Sequence, residues 1–401
     1  MELAASNAAL GPGLPEAVPE VVAALQGFTV DLYGQLSTRP GNLVCSPYSV
    51  AVALAMTRNG ARGTTAAEMD AVLHAPALSG LNGGLNALGR LVESRAGDVE
   101  RADGSTASVS LDIASSLWGQ RGRAWVMEFL DALAADYAAG MRLVDYVGAT
   151  EEARREINAW VATRTAERIP ELIKPDVLDV DTRLVLANAI YLKAPWERPF
   201  RRNGTVPHPF TRADGTQVDV PMMTVELDGA RRASGAGWEA VELRYAGSKL
   251  AMAVVVPDPG RVSAVEQLLA DAGLGAVLGA FRPSPSLRLD LPRWTFRTPV
   301  ELRSALSALG MPTAFRRGVA DFSGMTTEEQ LAIGAVVHEA FVAVDEEGTE
   351  AAAATAVQMV AVSLALPPPV QLVVDRPFLF VIHDVETSTP LFVGRVADPT
   401  A

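Results

Sequence analysis

Between Asp345 and Arg376 the chain reads DEEGTEAAAATAVQMVAVSLALPPPVQLVVDR, and this stretch limits the fold more than any other. It follows an apolar run, Phe341 to Val344, and leads into another that begins near Phe378. Its first part is almost entirely small: Thr349, Ala351 to Ala354, Thr355 and Ala356. An alanine-rich helix is one form that fits, because alanine is the best helix former; a flexible surface loop is a second. As a strand, the third form, the segment alternates. Thr349, Ala351, Ala353, Thr355, Val357, Met359 and Ala361 then share one face, and Glu350, Ala352, Ala354, Ala356, Gln358 and Val360 the other. Glu350 and Gln358 fall together on a side suited to water, while the opposite face is uncharged and suited to a core. Small residues are what let such a loop slide between existing strands.

The surrounding chain places helices early and strands late, the order expected of one α+β domain over residues 1–401. Val21, Leu25, Phe28, Leu32 and Leu36 mark one buried helical face, and Ser46 to Gly60 predicts a helix apolar nearly all round. Thr65 and Glu68 stand at capping-box spacing. A helix is expected over Glu151–Ile169, with Ile157, Trp160 and Val161 as its stripe. Val109, Leu111 and Ile113 alternate as in a half-wet strand, whereas TRLVLANAIYLKAPW reads as a strand buried on both faces. Val241–Tyr245 and Leu250–Val256 predict a hairpin, Leu287–Pro292 a strand, and Phe378–Ile382 with Leu391–Val396 a closing pair.

With 401 residues, 49 % of them hydrophobic, the chain has material for a large core. Thirty-four Lys+Arg against 47 Asp+Glu leave a formal charge of −13, which argues against nucleic acid and anionic membrane as partners. Cys45 is the only cysteine, so no intrachain disulfide forms. The opening residues lack the basic start and apolar core of a signal peptide, and 1–17 is expected as a flexible segment. No apolar run approaches the ~20 residues of a membrane span. A soluble monomer is expected, cytoplasmic or secreted with its signal removed.

Sites of chemistry are sparse. His74, His208, His338 and His383 are scattered, and HExxH, CxxC, EF-hand, GxxxxGK[ST] and GxSxG patterns are missing. The expectation is no metal, no cofactor and no catalytic residue. Glu346 and Glu347 read as a solvated face, and the pairs Arg201–Arg202, Arg231–Arg232 and Arg316–Arg317 as plain surface.

Five segments in order resemble the serpin family, serine protease inhibitors, along almost the whole chain. They are Asn188–Phe200 (NAIYLKAPWERPF), Val337–Ala351 (VHEAFVAVDEEGTEA), the hinge Gly348–Thr355 (GTEAAAAT), Asp375–Ile382 (DRPFLFVI) and Pro390–Pro399 (PLFVGRVADP). The likeness is to an inhibitory, prokaryotic-type member. It implies a serpin fold with a large central mixed sheet, two further sheets, eight or nine helices and an exposed reactive-centre loop at 346–372. Within that loop the hinge spans 348–356: Gly348, Thr349, Glu350, Ala351, Ala352, Ala353, Ala354, Thr355 and the residue that follows. Trp196 falls at the family's breach tryptophan, and Ser46, Ser49, Asn188 and His338 at its shutter. The family's spacing from Gly348 puts the reactive bond at Val362–Ser363. Because Ser363 to Pro377 is longer than in compact members, Ala361 and Leu364 are alternatives. The implied partner is a serine protease with an apolar S1 pocket, since no Arg or Lys lies between Gly348 and Asp375. The rival expectation is a non-inhibitory member acting as a chaperone or carrier.

Overall fold

A computed structural model describes residues 2–350 and 370–401, with Asp271 and Ala272 described by their backbone alone. Among the described residues are nine α-helices and three sheets, of eight, seven and four strands. The largest sheet runs Glu2–Ala4, Met141–Val144, Thr106–Gln120, Leu184–Pro195, Gly348–Thr349, Ala335–Val344 and Trp294–Glu301, with Gly97–Glu100 added beside Thr106–Gln120. Leu184–Pro195 is antiparallel to Thr106–Gln120 and parallel to Ala335–Val344, so the sheet is mixed.

Strand parity explains why this sheet is buried on both faces. Val185, Ala187 and Ala189 pack with Ile157 and Val161 of the helix Tyr146–Arg164. Leu184, Leu186 and Ile190 turn the other way, into the main core that holds Val50 and Leu54 of the helix Pro47–Arg58. That helix is apolar nearly all round because it lies under the sheet. The seven-stranded sheet contains the expected hairpin, Trp238–Arg244 with Leu250–Pro257, and the closing pair Phe378–Asp384 with Pro390–Val396. The four-stranded sheet receives the chain at Val370–Val373, which runs parallel to Leu287–Pro292.

Three local expectations change. The helix Gly63–Val72 starts from Arg62, so Thr65 and Glu68 form no capping box. Thr65 Oγ1 instead accepts the Asp321 amide hydrogen, and Glu68 accepts from Thr313. The helix expected over Glu151–Ile169 spans Tyr146–Arg164, because Asp145 caps it by accepting from the Gly148 amide. The amino-terminal segment is packed: Glu2–Ala4 pairs with Met141–Val144, and the Gly11 amide donates to the Ala135 carbonyl. Leu14 fills the space that Gly83 leaves by having no Cβ.

Candidate functional site

Four of the singled-out residues meet on one face of the central sheet. Asn188 shares the parity of Leu186 and Ile190, so its side chain points toward the helix Pro47–Arg58. His338 shares the parity of Val336 and Ala340 and sits opposite Asn188 in register. Ser115 pairs with Asn188 from the other side. Beneath this row Ser46 caps the helix, its hydroxyl accepting from the Ser49 amide.

The resulting network is closed. The Ser46 amide donates to His338 Nε2 at 3.0 Å, which leaves the neutral ring's hydrogen on Nδ1, and Nδ1 donates to Asn188 Oδ1 at 2.6 Å. Ser49 Oγ donates to the same oxygen at 2.7 Å, while Asn188 Nδ2 donates to Ser115 Oγ at 2.7 Å. The Ser115 hydroxyl returns to the Ser49 carbonyl at 3.1 Å. Ser46, Ser49, Asn188 and His338 are fully buried, so these bonds satisfy groups that water does not reach. Burial lowers the pKa of His338 to about 4, and the ring is neutral at neutral pH.

The hinge lies in the upper part of the same sheet. Ala335–Ala340 is laddered directly to Val185–Ile190. Higher up Gly348–Thr349 stands between the two strands, pairing with Pro195 and Ala194 on one side and with Val344 on the other. Gly348 is required by close approach, since a Cβ there would stand 2.3 Å from the Ala194 carbonyl oxygen. Asp345 shapes the preceding turn by accepting from the amides of Glu347 and Gly348. Trp196 secures it: its amide donates to the Glu347 carbonyl and its Nε1 to the Asp345 carbonyl, at 2.7 and 3.0 Å. The indole stacks on Tyr245 at 4.6 Å, and the Tyr245 hydroxyl bonds Thr349 Oγ1 at 2.7 Å.

Glu350, whose amide still donates to the Ala343 carbonyl, has φ of 51°, a left-handed conformation that strains a residue with a Cβ by roughly 1–2 kcal/mol. An ion pair with Arg168 holds it there. Burial raises the Glu350 carboxyl, and the Arg168 guanidinium works against that rise. Thr349 and Glu350 point to opposite faces, as the alternation predicts, but Glu350 is not in water: its side chain is 11 % exposed and packs against Arg168. Ala351 to Thr355, and Val362 and Ser363 with Ala361 and Leu364, lie outside the described residues.

Some polar surface expectations reverse here. Glu346 and Glu347 are buried, not solvated. Glu346 pairs with Arg293 at 2.6 Å and Glu347 with Arg202 at 2.8 Å, so adjacent acids are tolerated because each has its own guanidinium. Burial opposes ionisation of Glu346, but hydrogen bonds from Thr205 and Arg293 outweigh it and hold the carboxyl low. The start of the expected loop, 346–350, is therefore tied to the fold, as is its end at 370–372. Arg231 is also ion-paired, with the buried Glu242, whereas Arg317 faces the exposed Asp179 and Asp181 and stays surface as expected.

Sequence reading passes over Ser115, Arg168 and Tyr245. Ser115 carries a signal, a hydroxyl inside an alternating strand. The other two carry none, because they meet hinge residues far away along the chain.

A family model described as serpin (serine protease inhibitor) matches residues 23–399. An uncharacterized serpin-like protein of Thermococcus kodakarensis is 37 % identical over 388 residues, covering 94 % of this chain and 86 % of that protein. Leukocyte elastase inhibitor A of Rattus norvegicus is 34 % identical, covering 93 % and 97 %. Among solved structures, the native state of the thermophilic serpin tengpin superposes with a TM-score of 0.85 at 24 % identity, covering 98 % of this chain and 97 % of that one. Serpin48 of Tenebrio molitor gives 0.82 at 27 % identity, covering 94 % and 98 %. A matched model over nearly all of the chain, and a sheet parted at its top around a glycine-led hinge, lead to one conclusion: this chain belongs to the serpin family.

Proposed function

We propose that this chain is a single-use inhibitor of a serine protease with an apolar S1 pocket, elastase-, subtilisin- or chymotrypsin-like. The observation that carries the reading is Gly348–Thr349 standing as a two-residue strand between Leu184–Pro195 and Ala335–Val344. Small residues follow it in the sequence, through Ala356. The curated relatives named leukocyte elastase inhibitor support an apolar target.

In this mechanism the protease takes the loop as substrate. Its serine attacks the carbonyl of Val362, the amide bond to Ser363 breaks, and the acyl-enzyme retains the upstream arm. The freed arm extends the strand begun at Gly348 and carries the protease with it. Each residue added gains backbone hydrogen bonds worth about 1 kcal/mol net, so an arm of about a dozen gains on the order of ten. That is comparable with the whole stability of an ordinary domain. Distortion of the protease's oxyanion hole then stalls deacylation, which depends on close geometry. Trp196, Tyr245 and Thr349 position the arm; none is catalytic.

The test is to mix the protein with pancreatic elastase, subtilisin, chymotrypsin and trypsin and run denaturing gels. A band near the summed masses with one of the first three is expected, with a released peptide beginning at Ser363. Clean loop cleavage by the first three with no such band, and no gain in heat resistance of the cleaved protein, would turn the reading to a non-inhibitory serpin.

A further inference from the structure

Asparagine is followed by glycine at three places, Asn59, Asn82 and Asn203. In such a step the glycine amide nitrogen can attack the asparagine side-chain carbonyl carbon, because no Cβ on the glycine blocks the approach. The structure sets the three steps apart. Asn82 lies inside the helix Leu78–Glu93, and its Nδ2 donates to Asn59 and Asp136. Asn59 ends the helix Pro47–Arg58, and its Nδ2 donates to the Ala55 carbonyl at 2.9 Å. Gly60 beside it is buried, and Met325 fills the place where a Cβ would stand.

Asn203 differs on each count. It sits in a single 3-10 turn, Arg202–Gly204, it is exposed, and its side chain has no partner among the described residues. Apart from its chain neighbours, only Arg201 Cβ comes near the missing Cβ of Gly204, at 3.5 Å, so a ring has room to close. The Gly204 amide is held by one bond, to the Arg201 carbonyl at 2.9 Å. An exposed turn of that size opens far more readily than a packed helix.

The same turn holds the hinge. Arg202 Nε donates to Glu347 at 2.8 Å and Thr205 Oγ1 to Glu346 at 2.5 Å, and both acids are buried. Asn203 stands between these two clamps along the chain.

We propose that Asn203 is a site of spontaneous covalent modification, and that its conversion loosens the hold on the hinge turn. The Gly204 nitrogen bonds to Asn203 Cγ and gives up its proton, the side-chain nitrogen leaves as ammonia, and a cyclic succinimide remains. Water then opens the ring at either carbonyl, giving aspartate or isoaspartate. The sum is one water consumed and one ammonia released, with no oxidant or reductant. Both products put a new carboxylate on the turn that clamps Glu346 and Glu347. Isoaspartate also adds one atom to the main chain between Arg202 and Thr205, which changes the spacing of the two clamps. The site does not depend on which protease, if any, is trapped.

The test is to incubate the intact protein in mildly alkaline buffer and weigh its proteolytic peptides over time. Asn203 should gain one mass unit about tenfold or more faster than Asn59 or Asn82. Isomerisation at the three Asp-Gly steps, Asp103, Asp214 and Asp228, leaves mass unchanged and does not enter the count. Gly204→Ala should slow conversion at Asn203 by about tenfold, because the added methyl hinders ring closure. The φ of Gly204 is not left-handed, so this variant keeps the turn, and thermal unfolding confirms that it folds. Amide hydrogen exchange over residues 346–349 should become several-fold faster in the converted protein and stay unchanged in Gly204→Ala incubated alike. Conversion at Asn203 no faster than at Asn59 and Asn82, or equally fast in Gly204→Ala, would overturn the site. Conversion without faster exchange at 346–349 would overturn its link to the hinge.

Discussion

A neutral imidazole is what the Ser46 amide requires of His338, because a second ring hydrogen on Nε2 would face a donor. The folded-state pKa of about 4 lies below the ordinary 6.5. Between those values the unfolded chain binds a proton that the folded chain refuses, so stability falls as pH drops from 6.5 and the loss is complete near 4. The interval is worth about 3 kcal/mol. Denaturant midpoints measured from pH 7 to 4 should fall more steeply for the native protein than for His338→Gln; parallel curves would refute the assignment. Ser46, Ser49, Asn188 and His338 stand out in the sequence only through resemblance, since nothing local links them. Strand register and helix position bring them together.

Among the elements, the hinge is the one whose form depends most on its neighbours. Its first residues are strand because Pro195, Ala194 and Val344 offer backbone partners, not because alanine-rich sequence favours strands. Thr349 is the inward residue, 2 % exposed and bonded to Tyr245. Thr349→Arg buries an unpaired charge at a penalty of several kcal/mol, which slows insertion and lets the protease deacylate. The yield of covalent complex should drop by about tenfold or more, with cleaved inhibitor accumulating instead. Complex at native yield from this variant would contradict insertion through this slot. Val18–Ser37, through its helical period, and Leu184–Pro195, through its near-continuous apolar run, are legible from sequence. The capping box at Thr65 and Glu68 is not, because distant Asp321 and Thr313 take both side chains.

For the whole molecule, the central sheet joins two strands directly at the bottom and parts them by a two-residue wedge at the top. If an arm of about a dozen residues completes that wedge, the gain on the order of ten kcal/mol appears as heat resistance. Limited cleavage of the loop should therefore raise the unfolding temperature by ~10 °C or more in calorimetry. An unchanged midpoint after cleavage would mean the arm does not enter the sheet. This measurement separates a working inhibitor tested on the wrong protease from a protein whose loop cannot insert.

Periodicity and composition by themselves determined a large α+β core without disulfides, the buried central strand, and a segment of small residues that, read as a strand, has one uncharged face. These are local properties: spacing sets which side chains share a face, and size sets what fits between strands. Only the tertiary structure decided that Glu346 and Glu347 are buried, that Tyr245 and Arg168 hold the hinge, and that the amino terminus packs as an edge strand. Each of these depends on a partner distant along the chain, and a residue's charge or hydroxyl does not announce which partner will reach it.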